Sequence, residues 1–211
     1  MKLGIIGLTY SGKTTLFEAV TGAHGAAVEH AMGPHSAAIH VPDDRLDALA
    51  ARCSPKKVTR ANIEFMDVQA AAAAQNRSAA VAALMEMREA DGLVHVVRFF
   101  EWPSAPPHPK GSLDPKRDAA DMEAELILAD LELVERRIER LEKAVVKPTP
   151  EQEHQRRELA LMRRLKEGLH QGRRIEAMDL SPDESQMLSS FQFLSRKPQL
   201  HVLNVHEDRM E

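Results

Sequence analysis

Apolar and polar positions divide this chain of 211 residues into two regimes. In the first, short apolar runs alternate with loops. Leu3-Gly4-Ile5-Ile6 predicts a strand, and Leu16, Phe17 and Val20 mark the buried face of a helix directly after it. Ser36–Val41 gives a second β-like run, and Pro42-Asp43-Asp44-Arg45-Leu46 predicts a turn into a short helix capped by Asp43. Asn62–Val68 alternates apolar with polar residues as a half-buried strand does. Leu93–Arg98 has the β-branched, apolar character of a fully buried one. Alanine, the strongest helix former, dominates Ala70–Met87 and predicts a helix continuing to Glu89. Gly22–Pro34 and the stretch holding Pro103, Pro106, Pro107 and Pro109 read as loops.

From Asp114-Pro115 the period changes. Ile127, Leu131, Val134, Ile138, Leu141 and Val145 recur in steps of four and three, the mark of a coiled-coil-like helix that Pro148 ends. Thr149-Pro150-Glu151-Gln152 has the form of a capping box with proline at the first helical position, opening a second helix to about Gly168 that packs antiparallel to the first. Ser181-Pro182-Asp183-Glu184 caps a third helix through Leu194, and Leu200–Val205 returns to strand character. The predicted architecture is therefore α/β. A mostly parallel sheet spans residues 1–112 and 198–211, and a helical, coiled-coil-like insertion containing an antiparallel hairpin spans 113–197.

Composition sharpens this picture in three places. No run approaches the roughly 18 apolar residues of a membrane span, and Lys2 before a short apolar run is not a signal peptide, so a cytoplasmic protein with no membrane partner is expected. Cys53 is the only cysteine, which excludes an intramolecular disulfide and a thiolate metal cluster. His24, His30, His35 and His40 do not pair at helical ligand spacing, so no metal site is expected there. A net charge of −4 argues against blanket attraction to nucleic acid. Glu151–Arg174 nevertheless carries seven Lys/Arg against four acids, either a solvated helix face or an RNA-facing patch.

The densest chemistry lies between the first strand and the first helix. Gly7-Leu8-Thr9-Tyr10-Ser11-Gly12-Lys13-Thr14-Thr15 fits G-x-x-x-x-G-K-[ST], in the required order of strand, loop and helix. Glycines let such a loop curl so that its N–H groups point inward, and the helix N-terminus adds partial positive charge where phosphate oxygens would sit. Lys13 would bridge the β- and γ-phosphates, and the Thr14 hydroxyl would ligate Mg²⁺. Asp67, at the end of a later strand, stands where such proteins hold the acid that supports the metal; a solvated strand-end aspartate is the alternative. Asn204 and Glu207 follow the last strand as Asn-x-x-Glu. An Asn amide can pair with adenine N6 and N7 at once, with Glu207 shaping the pocket or accepting from the amino group. Trp102, among the prolines, is expected to plug a local core, an exposed contact being the alternative.

Together these stretches resemble the YchF family, the Obg-like ATPases of the translation-factor GTPase class. The resemblance rests on Gly4-Ile5-Ile6-Gly7 with the P-loop, Pro42–Asp47, Ile63–Asp67, His95–Glu101, Glu125–Glu132 and Asn204–Glu207, and so covers nearly the whole chain. It implies a P-loop NTPase G domain with a helical hairpin inserted, Mg²⁺-ATP preferred over GTP, a C-terminal TGS domain, and association with ribosomes. Two departures stand out. The family's threonine before a Glu-Pro pair in switch I corresponds to Ala31, near Met32-Gly33-Pro34. Its Asp-x-Ala-Gly is here Asp67-Val68-Gln69-Ala70, followed by more alanines, and each Gly→Ala change narrows the backbone angles open to switch II. Gln69 precedes the position of that glycine and does not restore a water-positioning glutamine. The chain also ends before the last G-domain strand and the TGS domain, as a fragment or a reduced paralogue would.

Two functions follow. One is a slow ATPase working by positioning and charge, with Lys13 and Thr14 in the catalytic roles. The other is a nucleotide-binding interaction module that has lost hydrolysis and docks RNA or protein through its hairpin. A small-molecule phosphotransferase shares the P-loop but would need an Arg-rich clamp, and no such segment stands out in the sequence.

Overall fold

The computed structural model describes residues 1–22, 35–67, 84–102, 105–146 and 148–209. Among the described residues, five strands form one sheet in the order β2-β3-β1-β4-β5. They are β1 (Lys2–Ile6), β2 (His35–His40), β3 (Asn62–Asp67), β4 (Gly92–Phe99) and β5 (Gln199–Val205). β3, β1, β4 and β5 run parallel, and only the edge strand β2 is antiparallel to its neighbour. The expected mostly parallel sheet is thus present.

Side-chain alternation explains why both faces are covered. Ile5, Phe65 and Val94 point to one side, where they pack against Phe17 of α1 (Lys13–Thr21). Their chain neighbours Ile6, Met66 and Leu93 point to the other side, against Met122, Leu126 and Ala129 of a second layer. The short helix α2 (Asp44–Cys53) starts as expected, with the Asp43 carboxylate accepting from the Arg45 and Leu46 N–H groups.

That second layer is the beginning of α3 (Pro115–Ala144), a helix of 30 residues and so about 45 Å long. Its far half leaves the sheet and pairs with α4 (Gln152–His170). Arg137 meets Glu158, Glu135 meets Lys166, and Gln152 Nε2 donates to the Val145 carbonyl, so the two run antiparallel. Val134, Ile138 and Leu141 fill the seam with Met162, Leu165 and Leu169, the residues the step-of-four-and-three pattern singled out on α3.

Two helix ends differ from the sequence expectation. The Thr149 box does not form: α4 starts at Gln152 with no side-chain cap, because Gln152 is used to bridge the hairpin turn and the Thr149 carbonyl accepts the Gln152 N–H instead. The Ser181–Glu184 box does form, but its helix α5 (Pro182–Met187) is short. Gln192 adopts a left-handed φ of 50°, and the chain turns inward so that Phe193 and Leu194 enter the core. The alanine-rich helix lies outside the described residues up to position 83; residues 84–86 are helical and Met87–Glu89 closes as one 3₁₀ turn. Among the described residues, no helix is long and apolar enough to cross a membrane.

Candidate functional site

Beyond Ile6 the backbone turns through Gly7, at φ 151°, and Gly12, at φ 93°, into α1. Both positions require glycine for space as well as angle. A Cβ on Gly7 would run into the Val96 carbonyl of β4, and one on Gly12 into the side-chain amide of Asn204. Tyr10 also lies in the left-handed region, at φ 63°, and projects outward. Thr9 is half-buried in the loop, and Thr14 and Thr15 open α1 with exposed side chains. The Ser11 hydroxyl is enclosed and has no hydrogen-bond partner among the described residues.

Lys13 is folded back over the loop it belongs to. Its Nζ donates to the Gly7 and Leu8 carbonyls at 2.9 Å each, and only 8% of the residue is exposed. Burial lowers its pKa from 10.5 to about 8, with the Asp67 carboxylate pulling the other way. An ammonium has three donors, so two are used on the loop and one remains for a ligand.

Asp67 ends β3 beside Ile5 of β1 and is 1% exposed, which rules out the solvated strand-end reading. The Thr14 hydroxyl donates to Asp67 Oδ2 at 2.8 Å. Two residues that are 53 positions apart are thus brought together by the parallel pairing of β1 and β3. A hydroxyl and a carboxylate are a hard-oxygen donor set suited to Mg²⁺.

Asn204, near the end of β5, donates from Nδ2 to the Ser11 carbonyl at 3.0 Å and so braces the Gly7–Gly12 loop from two strands away. One further N–H and the amide carbonyl are left for a base. An open cleft of about 560 Å³ extends from Gly12 and Thr15 past Asn204 to Trp102, His206 and Glu207. Glu207 sits exposed at its rim. The structure therefore brings Gly12, Thr15, Asn204 and Glu207 to one cleft, and Lys13, Thr14 and Asp67 to one cluster.

Trp102 corrects the sequence expectation. It plugs no core: about half of its surface is exposed, and its ring stacks on His206 with centroids 5.2 Å apart. Arg98 and His206 lie inside the stretches His95–Glu101 and Asn204–Glu207, but local pattern marks no part for either: Arg98 is tied to carbonyls of its own loop, and His206 meets Trp102 only because two strands pair. The expected basic face of α4 is largely self-compensated, because Arg157 pairs with Glu153, Arg163 with Glu142 and Arg164 with Glu184. That favours the solvated-face reading. The positions matching the switch residues, Ala31, Gln69 and Ala70, lie outside the described residues.

The geometry can be set beside known proteins. No protein-family model matches the chain. It is 34% identical over 215 residues to the "Ribosome-binding ATPase YchF" of Pasteurella multocida, covering all of this chain and 58% of the relative. It is 31% identical to the protein of the same name from Bacillus subtilis, covering 98% of this chain and 57% of that one. The "Obg-like ATPase 1" of Oryza sativa subsp. indica is 31% identical, with 98% and 53% covered. The solved structure of the Schizosaccharomyces pombe YchF GTPase superposes with a TM-score of 0.77 at 27% identity, over 99% of this chain and 57% of that one. The chain thus spans somewhat more than half the length of the relatives it matches.

Proposed function

This chain belongs to the YchF and Obg-like ATPase family, with which it aligns along its whole length, and on that premise we propose that it binds Mg²⁺-ATP in preference to GTP and hydrolyses it slowly at the β–γ phosphoanhydride. The observation that carries the reading is the Thr14–Asp67 hydrogen bond of 2.8 Å, next to a buried lysine on a phosphate-type loop. Lys13 binds phosphate oxygens with the donor it does not spend on Gly7 and Leu8. The N–H groups at the start of α1 add their partial charge. Thr14 and Asp67 would hold the metal, and Ser11 offers an enclosed hydroxyl within the same loop. When bound, Mg²⁺ offsets charge on the phosphates.

Asn204 and Glu207 face the base. Asn204 is already committed to the loop through one N–H, so base contact and loop position are coupled through one side chain. The division into a nucleotide-binding part, residues 1–112 and 198–211, and a helical insertion over 113–197 belongs to the same proposal. Association with ribosomes rests on the names of the relatives alone.

Titration calorimetry with Mg²⁺-ATP and Mg²⁺-GTP tests the reading: ATP binds more tightly, and a preference for GTP overturns it. Phosphate release measures the chemistry. A second reading, a binding module without hydrolysis, is favoured by Ala31 and Ala70 standing where the family carries switch residues. Tight ATP binding with no phosphate release above the buffer rate would select it.

A further inference from the structure

The base end of the cleft carries an aromatic surface that the phosphate chemistry leaves unused. We propose that Trp102, backed by His206, is a preformed stacking platform for the nucleobase, and that it sets affinity for the base without choosing between adenine and guanine. This inference rests on the nucleotide-binding reading above.

The platform is built from two loops. Trp102 follows β4, and His206 follows β5. Their rings stack at 5.2 Å with 30° between the planes, in the same cleft as Gly12 and Thr15 of the phosphate loop. His206 is braced in turn by Asp208, whose backbone N–H lies 3.3 Å and whose carboxylate lies 3.0 Å from Nδ1. On the other loop the Ala105 N–H donates to the Trp102 carbonyl at 3.0 Å.

Arg98 fixes that loop from beneath. It is 5% exposed, donates from Nε to the Phe100 carbonyl at 3.2 Å and from Nη1 to the Pro106 carbonyl at 2.9 Å, and lies over the Phe100 ring at 4.7 Å. One buried guanidinium thus clamps both ends of the segment that displays Trp102. A large apolar ring held half-exposed at a cleft, rather than folded away, is the arrangement that a flat ligand completes. Because the ring is already fixed, binding loses little side-chain freedom.

Stacking also answers a shortage of polar groups. Asn204 spends one N–H on Ser11, which leaves few hydrogen bonds to hold the base. Stacking on an aromatic face tolerates any base, so the platform supplies affinity while choice between bases stays with the Asn204 and Glu207 polar groups.

The test uses the full chain, in which Trp102 is the only tryptophan and hence the only indole signal. Its fluorescence is followed on adding Mg²⁺-ATP, Mg²⁺-GTP and Mg²⁺-tripolyphosphate, with calorimetry alongside. Both nucleotides quench it, and tripolyphosphate binds without quenching. Trp102→Ala weakens ATP and GTP by the same factor, roughly tenfold and no less than about fivefold for one base–aromatic stack, and leaves tripolyphosphate unchanged, while Trp102→Phe restores most of the loss. Equal quenching by tripolyphosphate, or calorimetric ATP binding that Trp102→Ala leaves unaltered, overturns the platform and leaves the nucleotide reading standing. If none of the three ligands binds, the nucleotide reading falls and the platform with it.

Discussion

Arg88 donates from Nη1 to Asp130 Oδ1 across 2.9 Å, with the Asp130 side chain fully enclosed and the Arg88 side chain 11% exposed. Asp130 also accepts the Leu194 and Ser195 N–H groups at 3.0 and 2.7 Å, and Arg88 further donates to the Ala129 and Gln192 carbonyls at 3.1 and 3.3 Å. One carboxylate therefore joins three parts of the chain. Arg88 lies in the turn before β4, Asp130 is midway along α3, and Leu194–Ser195 is in the turn that precedes β5. The middle of α3 and the Leu194–Ser195 segment are attached to the turn before β4 through this buried joint.

Removing either partner has unequal consequences. Asp130→Ala leaves a buried guanidinium without its counter-charge and two backbone donors without an acceptor, and should cost about 3–5 kcal/mol of unfolding free energy. Arg88→Ala leaves the carboxylate with its two backbone donors and should cost less. Urea unfolding curves of the two variants check the order; a larger loss for Arg88→Ala would show that the carboxylate is not the centre of the joint.

The phosphate cluster separates into charge and metal roles. Lys13→Ala should lower affinity for ATP in the presence or absence of Mg²⁺, by about tenfold or more for loss of a charge-assisted bond. Thr14→Ala should leave Mg²⁺-free affinity close to that of the unaltered protein and remove most of the gain that Mg²⁺ brings, since the hydroxyl is a metal ligand in this scheme. Calorimetry with and without EDTA distinguishes them. Undiminished Mg²⁺ dependence in Thr14→Ala would show the metal assignment to be wrong.

Much of this was legible in the sequence because the relevant signals are local. Gly7 and Gly12 announce a loop by spacing alone, Asp43 announces a cap, and the Ile127–Val145 period announces the seam that α4 fills. What local pattern does not carry is which loops meet. Trp102 and His206 are separated by more than a hundred residues and are joined only because β4 and β5 pair in parallel, with Phe99 level with Val205. Arg98 is a different case: the strand ending at it reads as buried, but the pattern does not show that its guanidinium is satisfied by the carbonyls of Phe100 and Pro106. The Thr149 box failed for a different reason: its pattern was correct, but tertiary use of Gln152 in the hairpin turn outweighed a cap worth about 1 kcal/mol.

His95 of β4 should make the fold acid-sensitive. The ring is 2% exposed; burial, then His201 at 5.3 Å between centroids, then Lys13 lower its pKa from 6.5 to about 4, against the opposing pull of Asp118. Between pH 6.5 and 4 the unfolded chain takes up a proton that the folded one refuses, so stability is full above 6.5 and declines as the pH falls through this window. The total is on the order of 3 kcal/mol at one pKa unit per 1.4 kcal/mol. His95→Gln removes this dependence, and the difference between the two pH–stability curves should be concentrated between pH 6.5 and 4. Parallel curves would show that His95 does not stay neutral in the fold.

Lys13 links nucleotide binding to pH at the opposite end of the scale. In the free protein its pKa is about 8 because burial disfavours the ammonium. Anionic phosphate favours the charged form, so binding raises that value again and takes up a proton at alkaline pH. Affinity should then be level below about pH 7.5 and fall above pH 8, approaching tenfold per pH unit while the free lysine is neutral and the bound one charged. The terminal phosphate of ATP is fully ionised there, its second pKa being about 6, so the ligand contributes no change of its own. The unliganded fold moves the other way: its Lys13 holds fewer protons than the unfolded chain between about 8 and 10.5, so its stability gains as the pH rises through that window. Calorimetry at pH 8.5 in two buffers of different ionisation enthalpy reads the proton uptake directly. Binding heats independent of buffer, together with an affinity unchanged to pH 9.5, would show that Lys13 is not the group that meets the phosphates.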